Sequence, residues 1–388
     1  MAKGAYIGVN NVAHKIKKGY IGVNDVARKI KKAYIGIGGV ARPCWSGEGV
    51  DHYGAITPLS VARSKLASTS IGAYALFGGG VISGASGYTT AVVNAYDKSF
   101  TQTSPSNMRG ARAGLSAVSI GAYALFGGGI EDTKSLGYSK LVDAYNSSLT
   151  RNNSTTDFTT GVCYPAATLV GDYALFGGGQ SASSSFQTKV YAYNKSLTQT
   201  TPTALSQARS SLAAATVGGK AYFCGGRYSH LYASTTRTDT YDASLTRGRP
   251  KDLTVGRHGL AATTIGDYVL FGGGANILSG EDFDTMEAYN SSSTRSKPMA
   301  LSVARRFLTA ITIDSYALFI GGYAGDGCSD VIDAYDASLT RTTPTKLSVA
   351  RGGLASTLLD TYALVGGGSI NENDDTVYNT VDAYIVNK

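Results

Sequence analysis

The phrase Tyr-Ala-Leu-Phe-Gly-Gly-Gly returns about every 48 residues along this chain, and that spacing restricts what it can fold into. Complete or worn copies are read at Tyr74–Gly80, Tyr123–Gly129, Tyr173–Gly179, Tyr222–Gly226, Tyr268–Gly274, Tyr316–Gly322 and Tyr362–Gly368. A period of roughly 40–50 residues with strand-like content marks a β-propeller, one four-stranded blade per repeat. Seven copies predict seven blades.

The sixth repeat shows how a blade is written. Arg305–Thr312 reads as a first strand and Asp314-Ser315 as a turn. Tyr316–Ile320 follows as the second strand, ending in Gly321-Gly322. A loop covers residues 323–330, Val331–Tyr335 reads as the third strand, and Leu339–Thr343 as a short fourth strand stopped by Pro344. Apolar and polar residues alternate, and Gly, Asn, Asp and Pro punctuate the ends. With 49 Gly among 388 residues and only 16% charged residues, composition fits many short strands and tight turns.

Two further residues keep the period. A third-strand Tyr recurs at Tyr96, Tyr145, Tyr193, Tyr241, Tyr289, Tyr335 and Tyr384. An Arg opens the first strand at Arg63, Arg112, Arg209, Arg257, Arg305 and Arg351, with Cys163 read in its place in the third blade. Both sets are expected to be scaffold, Tyr packing between blades and Arg bonding carbonyls near the axis. The chain ends just after a third strand, Tyr384–Lys388, whereas Tyr53–Arg63 matches a fourth-strand exit with no blade before it. The N-terminal strand is therefore expected to complete the last blade and remove an open sheet edge.

The net charge of +8 belongs almost wholly to residues 1–49, which hold nine Lys/Arg against two acids; the rest holds 26 against 25. A neutral ring and the absence of a recognition motif argue against nucleic-acid binding. Within that basic arm a 14-residue unit repeats: Ala5–Lys18, Gly19–Lys32 and Ala33–Arg42. The pairs Asn10-Asn11, Asn24-Asp25 and Gly38-Gly39 are two-residue turn signals between β-branched residues, so stacked hairpins are predicted. Hairpins this small bury little on their own. They are expected to dock elsewhere, through Tyr6, Lys15, Lys17, Tyr20, Lys29, Lys31 and Tyr34. The domain division is thus 1–49 for the arm and 50–388 for the propeller.

Residues with catalytic potential are scattered. Cys44, Cys163, Cys224 and Cys328 form no CxxC, and His14, His52, His230 and His258 fall in different repeats. No cofactor, metal or catalytic residue is assigned, and no apolar run reaches membrane-spanning length. The stretch Asn371–Asp375 lacks the Gly and distal Glu of a calcium loop and reads as a polar loop. What varies between blades is the connection from second to third strand. These loops are expected to share one face with the blade-to-blade crossovers, and their aromatics are candidate binding residues: Tyr88, Tyr138, Phe186, Tyr228, Tyr232, Phe283, Tyr323 and Tyr378.

The glycine doublet after an aromatic-aliphatic strand, the next-strand Tyr and the Arg before each blade resemble the kelch repeat family over residues 50–388. The Trp usual on a kelch fourth strand is replaced by Phe100, Leu149, Leu197, Leu245 or Leu339. The tandem Tyr-Ile-Gly-Val…Val-Ala-Arg-Lys-Ile-Lys-Lys units ahead of this ring resemble tail-associated proteins of phages and prophages of Gram-positive bacteria. That resemblance implies a virion component made in the host cytoplasm without a signal peptide. Its arm would attach to other tail or baseplate proteins, with trimerisation an expectation by analogy. Three functions stay open: a non-enzymatic receptor-binding protein for a host-surface glycan or protein, a decoration or scaffold protein of capsid, tail or baseplate, and a glycan-processing enzyme.

Overall fold

The computed structural model describes residues 49–387 except 84–86, 133–136, 183–184 and 229–232, and between residues 6 and 46 strand backbone alone. Among the described residues there are seven four-stranded antiparallel sheets and no helix. The chain is an all-β, seven-bladed propeller. The innermost strands are Ala67–Ile71, Ser116–Ile120, Ala166–Val170, Ala213–Val217, Ala261–Ile265, Thr309–Ile313 and Ala355–Leu359, in blades one to seven. Each neighbours the next, and that of blade seven lies beside that of blade one. Between residues 6 and 46, Tyr6–Val9 pairs with Val12–Lys15, Gly19–Val23 with Val26–Ile30, and Lys32–Ile37 with Val40–Ser46.

The second strand of every blade is buried after its first residue. Both of its faces meet a neighbouring blade, so it is written as continuous Ala-Leu-Phe rather than as an alternation. The three glycines that follow differ in purpose, as blade five shows. A Cβ on Gly272 would lie 2.8 Å from the Phe319 ring of the next blade. Gly273, at φ +69, would place a Cβ 2.6 Å from the Arg305 carbonyl, and Gly274 N–H donates to that carbonyl at 2.9 Å.

The recurrent Arg is fully buried, and its partner is a carboxylate the sequence reading did not assign. Arg305 Nη2 donates to Phe319 O at 3.0 Å and to Asp333 Oδ2 at 2.9 Å. Asp143, Asp239, Glu287 and Asp382 serve Arg112, Arg209, Arg257 and Arg351 in the same way. In blade one the partner is neutral Asn94, and burial lowers the Arg63 pKa to about 10. Blade three corrects the alignment. Its Arg position is held by Val162, whose carbonyl accepts Gly129 N–H at 2.7 Å, and Cys163 is one residue further on. The acid is absent there too. Tyr191 takes its place and stacks on Phe158, with centroids 4.4 Å apart. Charge and counter-charge are lost together in blade three, whereas blade one keeps a buried Arg63 on the neutral Asn94 amide.

The third-strand Tyr residues are buried in all seven blades. Tyr145, Tyr193, Tyr241, Tyr289, Tyr335 and Tyr384 each donate a hydroxyl to a carbonyl some 36–39 residues upstream, in the preceding blade. Two registers move. The second strand of blade four is Lys220–Cys224, so Tyr222 occupies the leucine position and Lys220 the tyrosine position. Phe100, Leu149, Leu197, Leu245 and Leu339 sit in the turn before the fourth strand, at φ near +60, instead of on it. Phe100 packs edge-on against Tyr362 of the preceding blade, with centroids 4.9 Å apart, and Leu149 and Tyr74 pack against one shared core cluster. In blade five the residue is Ser293, which bonds Tyr222 and Lys220 instead.

Gly49–Ala55 pairs antiparallel with Val381–Asn387, the third strand of blade seven. The ladder begins four residues before the Tyr53 expected from the sequence, since it runs on along Ile385–Asn387, and a one-residue bulge at Ala383/Tyr384 leaves Tyr53 unpaired in the register. His52 lies opposite Tyr384, the place held by Arg341 opposite Tyr335 in blade six. Its Nε2 is 2.8 Å from Asp382 Oδ1, as Arg341 Nε lies 3.7 Å from Asp333 Oδ1.

Candidate functional site

Each second-to-third-strand loop is rooted beside a crossover. Val81, Ile130, Gln180, Arg227, Ala275, Tyr323 and Ser369 form antiparallel bridges to Ser64, Ala113, Cys163, Ser210, His258, Arg306 and Gly352. The roots of all seven loops thus lie on one face around the axis, and the short turns occupy the other end of the strands.

At the centre of that face lies a feature the sequence reading missed. The residue two after each Arg position donates its N–H to its counterpart in the preceding blade. The sequence around the axis is Lys65, Gly114, Tyr164, Ser211, Gly259, Phe307 and Gly353, and Lys65 N–H closes the circle on Gly353 O. The seven bonds measure 2.7–3.0 Å, and all seven residues have φ between +48 and +63. Four of them are not glycine, although that region disfavours side chains. Glycines make the room: a Cβ on Gly114 would lie 2.7 Å from the Tyr164 ring, and one on Gly259 would lie 3.3 Å from Phe307. The ring borders an axial cavity of about 250 Å³ lined by Leu66, Leu115, Leu212, Leu260, Leu308 and Leu354. The innermost strands below it hold only Ala, Ser, Thr, Val, Leu and Ile. Backbone strain of this kind at an axial hollow is a reason to look there for binding.

The loop face is uneven in chemistry. Over blades one to three its floor is apolar: Val81, Ala113, Ile130 and Cys163, with Tyr138 and Tyr164 against them. Burial pushes the Cys163 thiol up to about 12, so it is neutral. Over blades five to seven and the start of blade one the floor is ionic and internally matched. Lys65 Nζ donates to Asp374 Oδ2 at 2.6 Å and to Glu372 O, and Ser64 Oγ donates to Asp374 Oδ1. Burial opposes the Lys65 charge, but Tyr164, Asp374 and Glu372 outweigh it and raise its pKa. Arg306 bridges Asp282 and Glu372. Among the described residues no group of three His, Cys, Asp or Glu is placed to hold a metal.

His258, 7% exposed, lies between these halves with Nδ1 3.1 Å from Ser234 Oγ. Burial, then the Arg227 charge, lowers its pKa to about 4. The free imidazole has a pKa near 6.5. The unfolded chain therefore binds this proton first, and stability falls as pH drops from about 6.5 towards 4. His258→Gln is expected to remove a loss of roughly 1–3 kcal/mol from that window, read from urea unfolding at pH 7 and pH 4.

The aromatic candidates divide. Tyr88 (65% exposed) and Tyr228 (43%) stand out into solvent. Tyr138, Phe186, Phe283 and Tyr378 are half-buried at loop roots. Tyr323 is 2% exposed and shares a 2.7 Å hydrogen bond with Ser369 Oγ, so it packs the floor instead of facing a partner. Tyr232 and His230 fall outside the described residues, as do Lys17 and Lys31 and the side chains of Tyr6, Lys15, Tyr20, Lys29 and Tyr34. No protein-family model and no curated protein matches the chain.

Proposed function

We propose that this chain is a non-enzymatic component of a phage or phage-tail-like particle. In this reading the loop face of its kelch-like propeller binds a glycan or protein on the host surface. The observation that carries the reading is the contrast between two parts of the ring. The buried Arg, Tyr and Gly positions repeat from blade to blade, whereas seven unlike loops gather on one face about an axial hollow. Unrepeated residues on a rigid scaffold are where recognition is placed. Exposed Tyr88 and Tyr228 supply contact area at low entropic cost.

The basic arm, at net +7 over residues 1–49, is the docking element for an acidic surface on the particle. Closure of blade seven by Gly49–Ala55 would tie arm and ring together, and the place His52 takes beside Asp382 supports it. The test is adsorption. Particles carrying Tyr88→Ala with Tyr228→Ala are expected to adsorb to host cells at least about tenfold more slowly, since exposed aromatic anchors at interfaces often contribute about 2 kcal/mol.

A further inference from the structure

We propose that Arg227 forms an oxyanion-binding site on the loop face and that the ligand is the carboxylate or phosphate of an acidic surface glycan. The inference rests on the receptor-binding reading and narrows its ligand.

Arg227 opens the loop of blade four, bridged to Ser210 on one side and Ser234 on the other. Its guanidinium is half-buried and held in place. Nη2 donates to Gln180 Oε1 at 2.6 Å, Nε reaches Ser210 Oγ at 3.5 Å, and Cζ lies 5.8 Å from the Phe186 ring centroid. Those contacts use two of five N–H donors. Among the described residues nothing accepts from Nη1, and no carboxylate forms an ion pair with Arg227. The loops of blades three and four, residues 180–189 and 227–238, contain no Asp or Glu at all.

The immediate neighbours do not offset the charge either. The Cys163 thiol is held neutral by burial, and His258 is neutral above about pH 4. Arg306 makes the contrast, since it spends its donors on Asp282 and Glu372. A fixed, half-desolvated guanidinium with Nη1 and a second Nη2 N–H unspent has the donors to bind carboxylate or phosphate. The exposed Tyr228 beside it offers a face for a sugar ring.

Calorimetric titration of the full chain tests this with three probes: an oligogalacturonate, inorganic phosphate and a neutral cello-oligosaccharide of equal length. The expected result is binding of at least one oxyanion probe, weakened tenfold or more by Arg227→Gln, with the neutral sugar's response unchanged. Preference for oligogalacturonate assigns a sugar carboxylate, and preference for phosphate assigns a phosphorylated glycan. Gln180→Glu guards against misfolding of the first variant. It supplies an internal carboxylate to Arg227 and is expected to abolish the same binding. Unchanged affinity in the variants, or no binding of either oxyanion, overturns the proposal. Adsorption that survives Arg227→Gln but is lost in the Tyr88/Tyr228 variant would sink the oxyanion site while leaving the receptor-binding reading in place.

Discussion

Asp333→Ala is expected to lower the stability of the propeller by about 3–5 kcal/mol in urea or guanidinium unfolding. The carboxylate it removes is fully buried and serves three groups. Arg305 Nη2 donates to it at 2.9 Å, Ser302 N–H at 3.1 Å, and Arg341 Nε lies 3.7 Å away. The variant leaves the fully buried Arg305 guanidinium without its counter-charge. Blade three shows what a stable alternative contains: Val162 for the Arg, Tyr191 for the acid, and Phe158 stacked on it. The Tyr191 hydroxyl also accepts Thr160 N–H at 3.1 Å, much as Asp333 accepts the N–H of Ser302. The transplanted set Arg305→Val, Asp333→Tyr and Leu301→Phe is therefore expected to cost less than Asp333→Ala alone. If the single change proves the milder one, the pairing does not govern this core.

Gly225→Ala is the second large effect, at about 3 kcal/mol. A Cβ there would stand 2.6 Å from the Arg257 carbonyl, at φ +65, in the contact that joins blade four to blade five. That carbonyl accepts Gly226 N–H at 2.9 Å and must move away if a methyl group enters. Left-handed strain of about 1–2 kcal/mol adds to the weakened buried hydrogen bond, about 1–3 kcal/mol. Gly219→Ala separates the two causes. It has φ +73 and nothing within 4 Å of its Cβ, so strain alone remains, about 1 kcal/mol. Equal losses at both sites would mean that the inter-blade approach contributes nothing.

Blade number and class were legible because each blade must repeat its buried set. Anchoring the phrase on its Tyr misplaced blade four, where Lys220 and Tyr222 exchange roles with Ser293 as their partner. In five blades the acid facing the Arg was visible two residues before the third-strand Tyr, as Asp143 stands before Tyr145, but a pairing across strands has no local mark. The left-handed Leu and Phe turns were hidden for a similar reason. The packing that accompanies them lies in another blade, as Tyr362 does for Phe100. The axial hydrogen-bonded ring did leave a trace. Two residues after each Arg position the chain reads Lys, Gly, Tyr, Ser, Gly, Phe, Gly, a repeated place filled by unlike residues. Exposed loop aromatics could not be told from buried ones by composition, which is why Tyr323 resembled Tyr88.

Adsorption of assembled particles tests the proposed recognition of the host by the loop face. Three particle preparations are compared at equal protein content: wild type, the Tyr88→Ala/Tyr228→Ala variant, and Lys98→Ala. Lys98 lies on the opposite face, in an exposed pair with Asp360. Adsorption at the wild-type rate is expected for Lys98→Ala, and a loss of about tenfold or more for the loop-face variant. Equal adsorption by all three would contradict it and leave the propeller as a decoration or scaffold of the particle.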